Sequence, residues 1–143
     1  MIPPNSHQIT QGIHVLQSAA RIHSVRGHQH LIGPGQAIEA VYPDGRVEIL
    51  SKVGWVPNWH ITYLFEDHLA PLLPKGTVLI VTAWYDNTEM NPHNPDPKSW
   101  VVYGRRTGDE MSHMWIGITY LSDEEYGYLT IEREQILKEM AEK

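Results

Sequence analysis

His28-Gln29-His30 and, far along the chain, Asp109-Glu110-Met111 are the residues whose types and spacing could do chemistry. Side chains two apart in a strand point to one face of a sheet. His28 and His30 on one strand can therefore grip a single ion, with Met111 closing the site from another strand. Two imidazoles and one thioether form a soft, mixed donor set that suits copper, above all Cu(I), better than zinc or a hard cation. The same residues have a plainer explanation. With nine His in 143 residues, an HxH arises readily by chance, and a Met at the end of an apolar segment commonly packs a core. Residue types alone leave both open.

The elements that must position these residues read as short strands. Residues 1–12 are polar and Pro-bearing and read as an N-terminal arm. Residues 13–22 alternate loosely, as in a strand with an irregular edge. Residues 28–31 and 37–42 are strand candidates separated by the turn Gly33-Pro34-Gly35. Tyr42-Pro43-Asp44-Gly45-Arg46 is a hairpin signal, in which Pro presets one turn angle and Gly supplies the positive one. Residues 47–50, 60–65, 77–85, 100–103 and 114–121 complete the set, with a Pro-punctuated loop over 86–99. Short strands with turn chemistry between them predict an all-β sandwich over residues 13–121. Ser122-Asp123-Glu124-Glu125 is a capping box that opens a helix to about Met140. Its stripe of Tyr126, Leu129, Ile136, Leu137 and Met140 is expected to pack on this domain, the alternative being a partner subunit.

Composition bounds the partners. The chain is long enough for one domain with a sizeable core and too short for two. A net charge of −6, with no basic run or basic helix, argues against nucleic acid. Cysteine is absent, so disulfides and Cys-based metal sites are excluded. No apolar stretch is long enough for a transmembrane segment, and Met-Ile-Pro-Pro-Asn does not open a signal peptide.

An ordered series of motifs carries a family likeness. It comprises Glu39-Ala-Val-Tyr-Pro-Asp-Gly-Arg46, Asn58-Trp59-His60-Ile-Thr-Tyr63, Leu73-Pro-Lys-Gly-Thr77, Asp86-Asn87-Thr88, Asn91-Pro-His-Asn-Pro-Asp-Pro97 and Asp109-Glu110-Met111. The series resembles the C-terminal domain of copper type II, ascorbate-dependent monooxygenases in their bacterial form. More distantly it is similar to peptidylglycine α-hydroxylating monooxygenase. The likeness covers roughly residues 3–121 and implies a jelly-roll-like antiparallel β-sandwich. It implies one copper, held by His28, His30 and Met111, that hydroxylates a C–H bond with O2 and an external reductant. A periplasmic or other extracytoplasmic location goes with it.

Arg26 stands where the peptide-hydroxylating enzyme has an arginine for the substrate carboxylate, and a planar guanidinium suits that task. A structural ion pair is the alternative. Trp115 is expected on the rim of the substrate site. The pattern also departs from the family. Two and four residues after the ligand Met that enzyme has Asn and Tyr, where this chain has His113 and Trp115, so peptide amidation is not expected. Bacterial relatives follow the HxH with Arg-Gly-Lys, where this chain has Ile32-Gly33-Pro34. His60 and His113 are extra imidazoles, either outer partners of the ligands or hydrogen-bonded structural residues. His23 sits at a break in the odd-even pattern and has no assigned place.

Asp109 and Glu110 are expected to face opposite ways and to orient the Met111 segment, not to share a proton. The oxygen-rich loop 86–97 could hold Ca²⁺, but Asx turns explain its residues more simply. In the family a second copper, on a separate N-terminal domain, supplies an electron. This chain has no room for that domain, so catalysis calls for an electron-donating domain or subunit. Ile2-Pro3-Pro4-Asn5 matches the interdomain linker of relatives, which points to a fragment or a cut-down descendant. The alternative function is a non-catalytic accessory or scaffold subunit, docked through its C-terminal helix or aromatic surface, with or without copper.

Overall fold

The structure is a computed structural model that describes residues 1–54 and 60–142. Its strands are β1 (His7–Val15), β2 (Ala19–Gln29), β3 (Gly35–Val41), β4 (Val47–Gly54), β5 (Tyr63–Leu64), β6 (Leu72–Leu73), β7 (Val78–Asp86) and β8 (Ser112–Leu121). One helix, α1 (Asp123–Ala141), follows. The first sheet has the order β1-β7-β3-β4. In the second, β8 runs the length of β2 on one edge, while β5 and β6 take successive stretches of the other. All these ladders are antiparallel. The result is a two-sheet β-sandwich with a C-terminal helix.

Among the described strands, β3 and β4 are the one pair that follow each other in the chain and also pair with each other. The hairpin closes as its residues require. Tyr42 N donates to Arg46 O at 2.8 Å, Asp44 Oδ1 accepts from Arg46 N at 2.9 Å, and Gly45 takes φ +87°. A side chain there would strain the backbone. Between the sheets lie Ile22 and Val25 of β2, Ile38 and Ala40 of β3, and Leu79 of β7. Met114, Ile116 and Ile118 of β8 pack against them. Burying each large aliphatic side chain contributes roughly 1.5–3 kcal/mol.

A bulge in β2 decides which residues leave this core. Ile22 pairs with Ile118 but Ser24 pairs with Gly117, so His23 is the extra residue. Ile22 faces inward before the bulge and Val25 after it. Uninterrupted alternation from Ile22 would have turned Arg26 and His28 into the core. The bulge instead sends Arg26, His28 and His30 to the outer face. His23 meets Thr119 Oγ1 through Nε2 at 2.8 Å. This is the physical content of the phase break in the sequence.

Several expectations need correction. The N-terminal arm is shorter than residues 1–12, because β1 begins at His7 and pairs with β7 along its whole length. Residues 13–22 are not one strand, because 16–18 carry the chain from the first sheet to the second. Within 60–65 only β5 is strand, and 100–103 contributes isolated bridges at Val101 and Tyr103. Asn58 and Trp59 lie outside the described residues. The capping box forms, with Ser122 Oγ accepting from Glu125 N and Glu125 Oε2 from Ser122 N. The helix nevertheless buries none of its residues. Tyr126 and Leu129 are half-buried, whereas Ile136, Leu137 and Met140 are exposed, so the stripe packs only along its first half. Among the described residues no helix is long and apolar enough to cross a membrane.

Candidate metal centre

Past the bulge, β2 and β8 present matching outer positions. His28 pairs with His113 and Arg26 with Trp115. The His28 ring lies edge-on to His30 at 5.2 Å between centroids, and stacks with His60 at 5.2 Å and with His113 at 6.4 Å. Trp115 stands 5.8 Å from His28 and 5.5 Å from His113. The Arg26 guanidinium lies 5.5 Å from the Trp115 ring centroid. The expected ligands His28 and His30, the expected substrate residues Arg26 and Trp115, and the extra imidazoles His60 and His113 thus share one patch.

Met111 is brought to this patch by its backbone. The last β2–β8 pair is Gln29 with Ser112, and one further step of that register sets His30 across from Met111. Glu110 fixes the juxtaposition. Its Oε1 accepts from His30 N at 2.6 Å and from Met111 N at 2.9 Å, and its Oε2 accepts from Ile32 N at 3.2 Å. One carboxylate therefore ties the backbone of one candidate ligand to that of another. Burial pushes the Glu110 pKa up, while the N–H donors of His30, Met111 and Ile32 pull the other way.

His30 Nδ1 lies 2.9 Å from the Asp109 carbonyl oxygen. A carbonyl only accepts, so Nδ1 carries a proton, which makes Nε2 the lone-pair atom of the neutral ring. Metal-binding histidines are commonly oriented by such a bond. The Asp109 carboxylate turns away and receives Arg106 Nε at 3.0 Å and Nη2 at 2.7 Å, which holds its pKa below the usual range. Asp109 and Glu110 therefore face apart and form no shared-proton pair, although they lie in a bend and an isolated bridge and not on the expected strand.

Beneath His28 a buried amide performs a similar task. Gln36 Oε1 accepts from His28 N at 3.1 Å and its Nε2 donates to His28 O at 3.2 Å and to Ser112 Oγ. Gly27 makes room for it, because a Cβ there would stand 2.5 Å from Gln36 Oε1. Burial lowers the His28 pKa, and His30, His60, His113 and Arg26 lower it further. The ring therefore keeps its lone pair at lower pH than an ordinary histidine. Arg26 Nε is buried and meets no hydrogen-bond acceptor among the described residues.

Gln36 was not singled out from sequence. Its one signal is a polar residue at an inward position of the apolar strand Gly35–Val41. Among the described residues no three His, Cys, Asp or Glu side chains are grouped to hold a metal ion. In the loop 86–97 the oxygens are taken by turns. Asp86 Oδ1 accepts from Thr88 N, Asn91 Oδ1 from His93 N and Asn94 Oδ1 from Asp96 N. No family model matches the chain, and no curated protein matches it.

Proposed function

We propose that the outer face of β2 and β8 is an oxygen-activating copper site, in which His28, His30 and Met111 hold one copper ion. The observation that carries this is the Glu110 carboxylate, which binds the backbones of His30 and Met111 through a single oxygen. The donor set suits copper, since two imidazoles and a thioether serve both its oxidation states. The Asp109 carbonyl presents His30 Nε2 as the donor atom, and Gln36 fixes the His28 backbone. Copper, when bound, supplies activation of O2 for hydroxylation of a C–H bond, the second oxygen leaving as water with two electrons and two protons from an external reductant.

The other residues of the patch bind and orient. Arg26 offers a guanidinium with a buried Nε to an anionic group, and Trp115, 51% exposed, offers a flat face beside it. His113 and His60 stack on His28 and limit how its ring can turn. The electrons come from a separate domain or subunit, and an extracytoplasmic location accompanies the activity. The test is oxygen uptake by copper-loaded chain with ascorbate and with artificial one-electron donors across candidate substrates. Product oxygen derived from O2 supports the proposal; copper binding with no oxygen uptake under any of these conditions contradicts it.

One observation favours a second reading, an accessory subunit. The outer face of the first sheet exposes Ile9, Ile13, Val15, Val47 and Ile49, and the second half of α1 exposes Leu137 and Met140. Exposed apolar side chains of this kind offer surface that a partner would cover. A stoichiometric partner that stays bound to His28→Ala, with function intact, would favour this role over catalysis.

A further inference from the structure

Each sheet ends in a free edge on the same side of the sandwich. Among the described residues β1 pairs with β7 alone and β8 with β2 alone. A strand with one neighbour turns every second N–H and C=O away from it, so both strands present unpaired backbone groups. The two edges stand close together, because Gly12 of β1 and Met114 of β8 wall the same cavities.

Sheets commonly blunt their free edges with charge, proline, a bulge or a very short strand. On the opposite side this chain does so. β4 carries Glu48 and Lys52 and bulges at Leu50, and β5 and β6 are two residues each. β1 has none of these devices. Its nine residues include no Pro, Lys, Arg, Asp or Glu, and its register with β7 is unbroken from His7↔Asp86 to Val15↔Val78. β8 also lacks Pro and those charged types over Ser112–Leu121.

The residues of β1 are complementary to themselves. Two such strands laid antiparallel about a two-fold axis at Gln11 pair along their whole length. Ile9 of each copy then stands opposite Ile13 of the other, Gln8 opposite His14, Thr10 opposite Gly12, and Gln11 opposite its own counterpart. Ile9 and Ile13 are 62% and 68% exposed in the single chain. Their pairing gives two β-branched cross-strand contacts, and no Lys, Arg, Asp or Glu faces its like. The side of the sandwich measures roughly 30 Å by 20 Å, from nine strand residues and two sheets with their side chains. Two copies covering it bury on the order of 1,200 Å², above the ~1,000 Å² that a specific interface should clear.

We infer that this side is a homodimer interface, in which β1 joins β1 of a second copy antiparallel about Gln11 and the first sheet continues from one copy into the other. The contact is isologous, so each pairing occurs twice. The β8 edges face each other across the joint, and the seam that reaches Met111 and His113 lies beneath it. The interface stands on the two edges and not on the copper site proposed above.

The experiment is sedimentation velocity of the full chain over a concentration series, with Gln11→Lys, Gln11→Glu and their equimolar mixture. Residue 11 is exposed, and only pairing about it sets each copy's substitution against the other's. A dimer is expected for the parent. Each charge alone should weaken it about fivefold or more, and mixing the two should restore it. A trapping variant serves if either charge impairs folding. The chain has no Cys, so Gln11→Cys brings one thiol per copy, with Cα atoms about 4.5–5.5 Å apart and within disulfide reach. Val15→Cys places its two thiols roughly 27 Å apart. Mild oxidation should link the first variant and not the second. A monomeric parent overturns the inference, and so does a dimer indifferent to both charges, which would assign the contact to another face. Equal crosslinking at 11 and 15 overturns it as well.

Discussion

Glu110 accepts the His30 backbone N–H at 2.6 Å through the same carboxylate oxygen that receives the Met111 N–H. Two segments eighty positions apart in the chain are thereby held side by side by one buried side chain.

Removing that clamp should be felt twice. Glu110→Ala leaves the N–H groups of His30, Ile32 and Met111 without their acceptor, at roughly 1–3 kcal/mol for each that stays buried. Urea unfolding should show a loss of about 3 kcal/mol or more, and Cu(I) affinity should fall with it. Glu110→Gln keeps an accepting oxygen and should recover part of both. An alanine variant as stable as the parent would show that the carboxylate does not organise this corner.

The bulge makes a prediction that runs against intuition. His23 is the extra residue between Ile22 and Ser24. Deleting it restores unbroken alternation with Ile22 and Val25 still inward and Arg26, His28 and His30 still outward. The variant loses the Phe65 N bond to His23 O and the Thr119 contact, so a cost of roughly 1–2 kcal/mol is expected, with copper binding kept. Deleting Gly27 lies beyond the bulge and turns His28 inward. Copper titration of the two deletions should separate them; equal loss in both would show that the bulge does not set the phase.

How far the sequence could lead is visible in these same residues. The turn at Asp44-Gly45 and the helix cap at Ser122 are local chemistry, and both form where the residue types require them. The HxH spacing placed His28 and His30 on one face because that follows from strand geometry. The partners of those residues are non-local. Gln36 reaches His28 only because β3 passes beneath β2, and Gly27 is small only because Gln36 arrives there. Nothing near either residue in sequence announces it. β1 escaped for the reverse reason. Its residues are exposed on both faces, so they carry no core-facing alternation to read.

A pH dependence follows from the hairpin. Burial pushes the Tyr42 phenol up to about 12, and its hydrogen bond to Glu48 at 2.7 Å adds to this. The folded chain then holds a proton that the unfolded chain gives up near its ordinary value of 10.0. Above that value the unfolded state binds fewer protons, so the stabilisation is full below pH ~10 and is lost as pH rises towards ~12. Urea midpoints at about pH 9 and about pH 11 should differ in the parent, and the difference should shrink in Tyr42→Phe. An unchanged difference would assign the alkaline loss to other groups.

The most direct measurement of the copper proposal is X-ray absorption at the copper edge of the Cu(I)-loaded chain, compared with Met111→Ala. One sulfur scatterer beside imidazole nitrogens is expected in the parent, and its disappearance in the variant. A Cu(I) site with nitrogen scatterers alone, identical in both proteins, would contradict Met111 as a ligand and with it the oxygen-activating role proposed for this face.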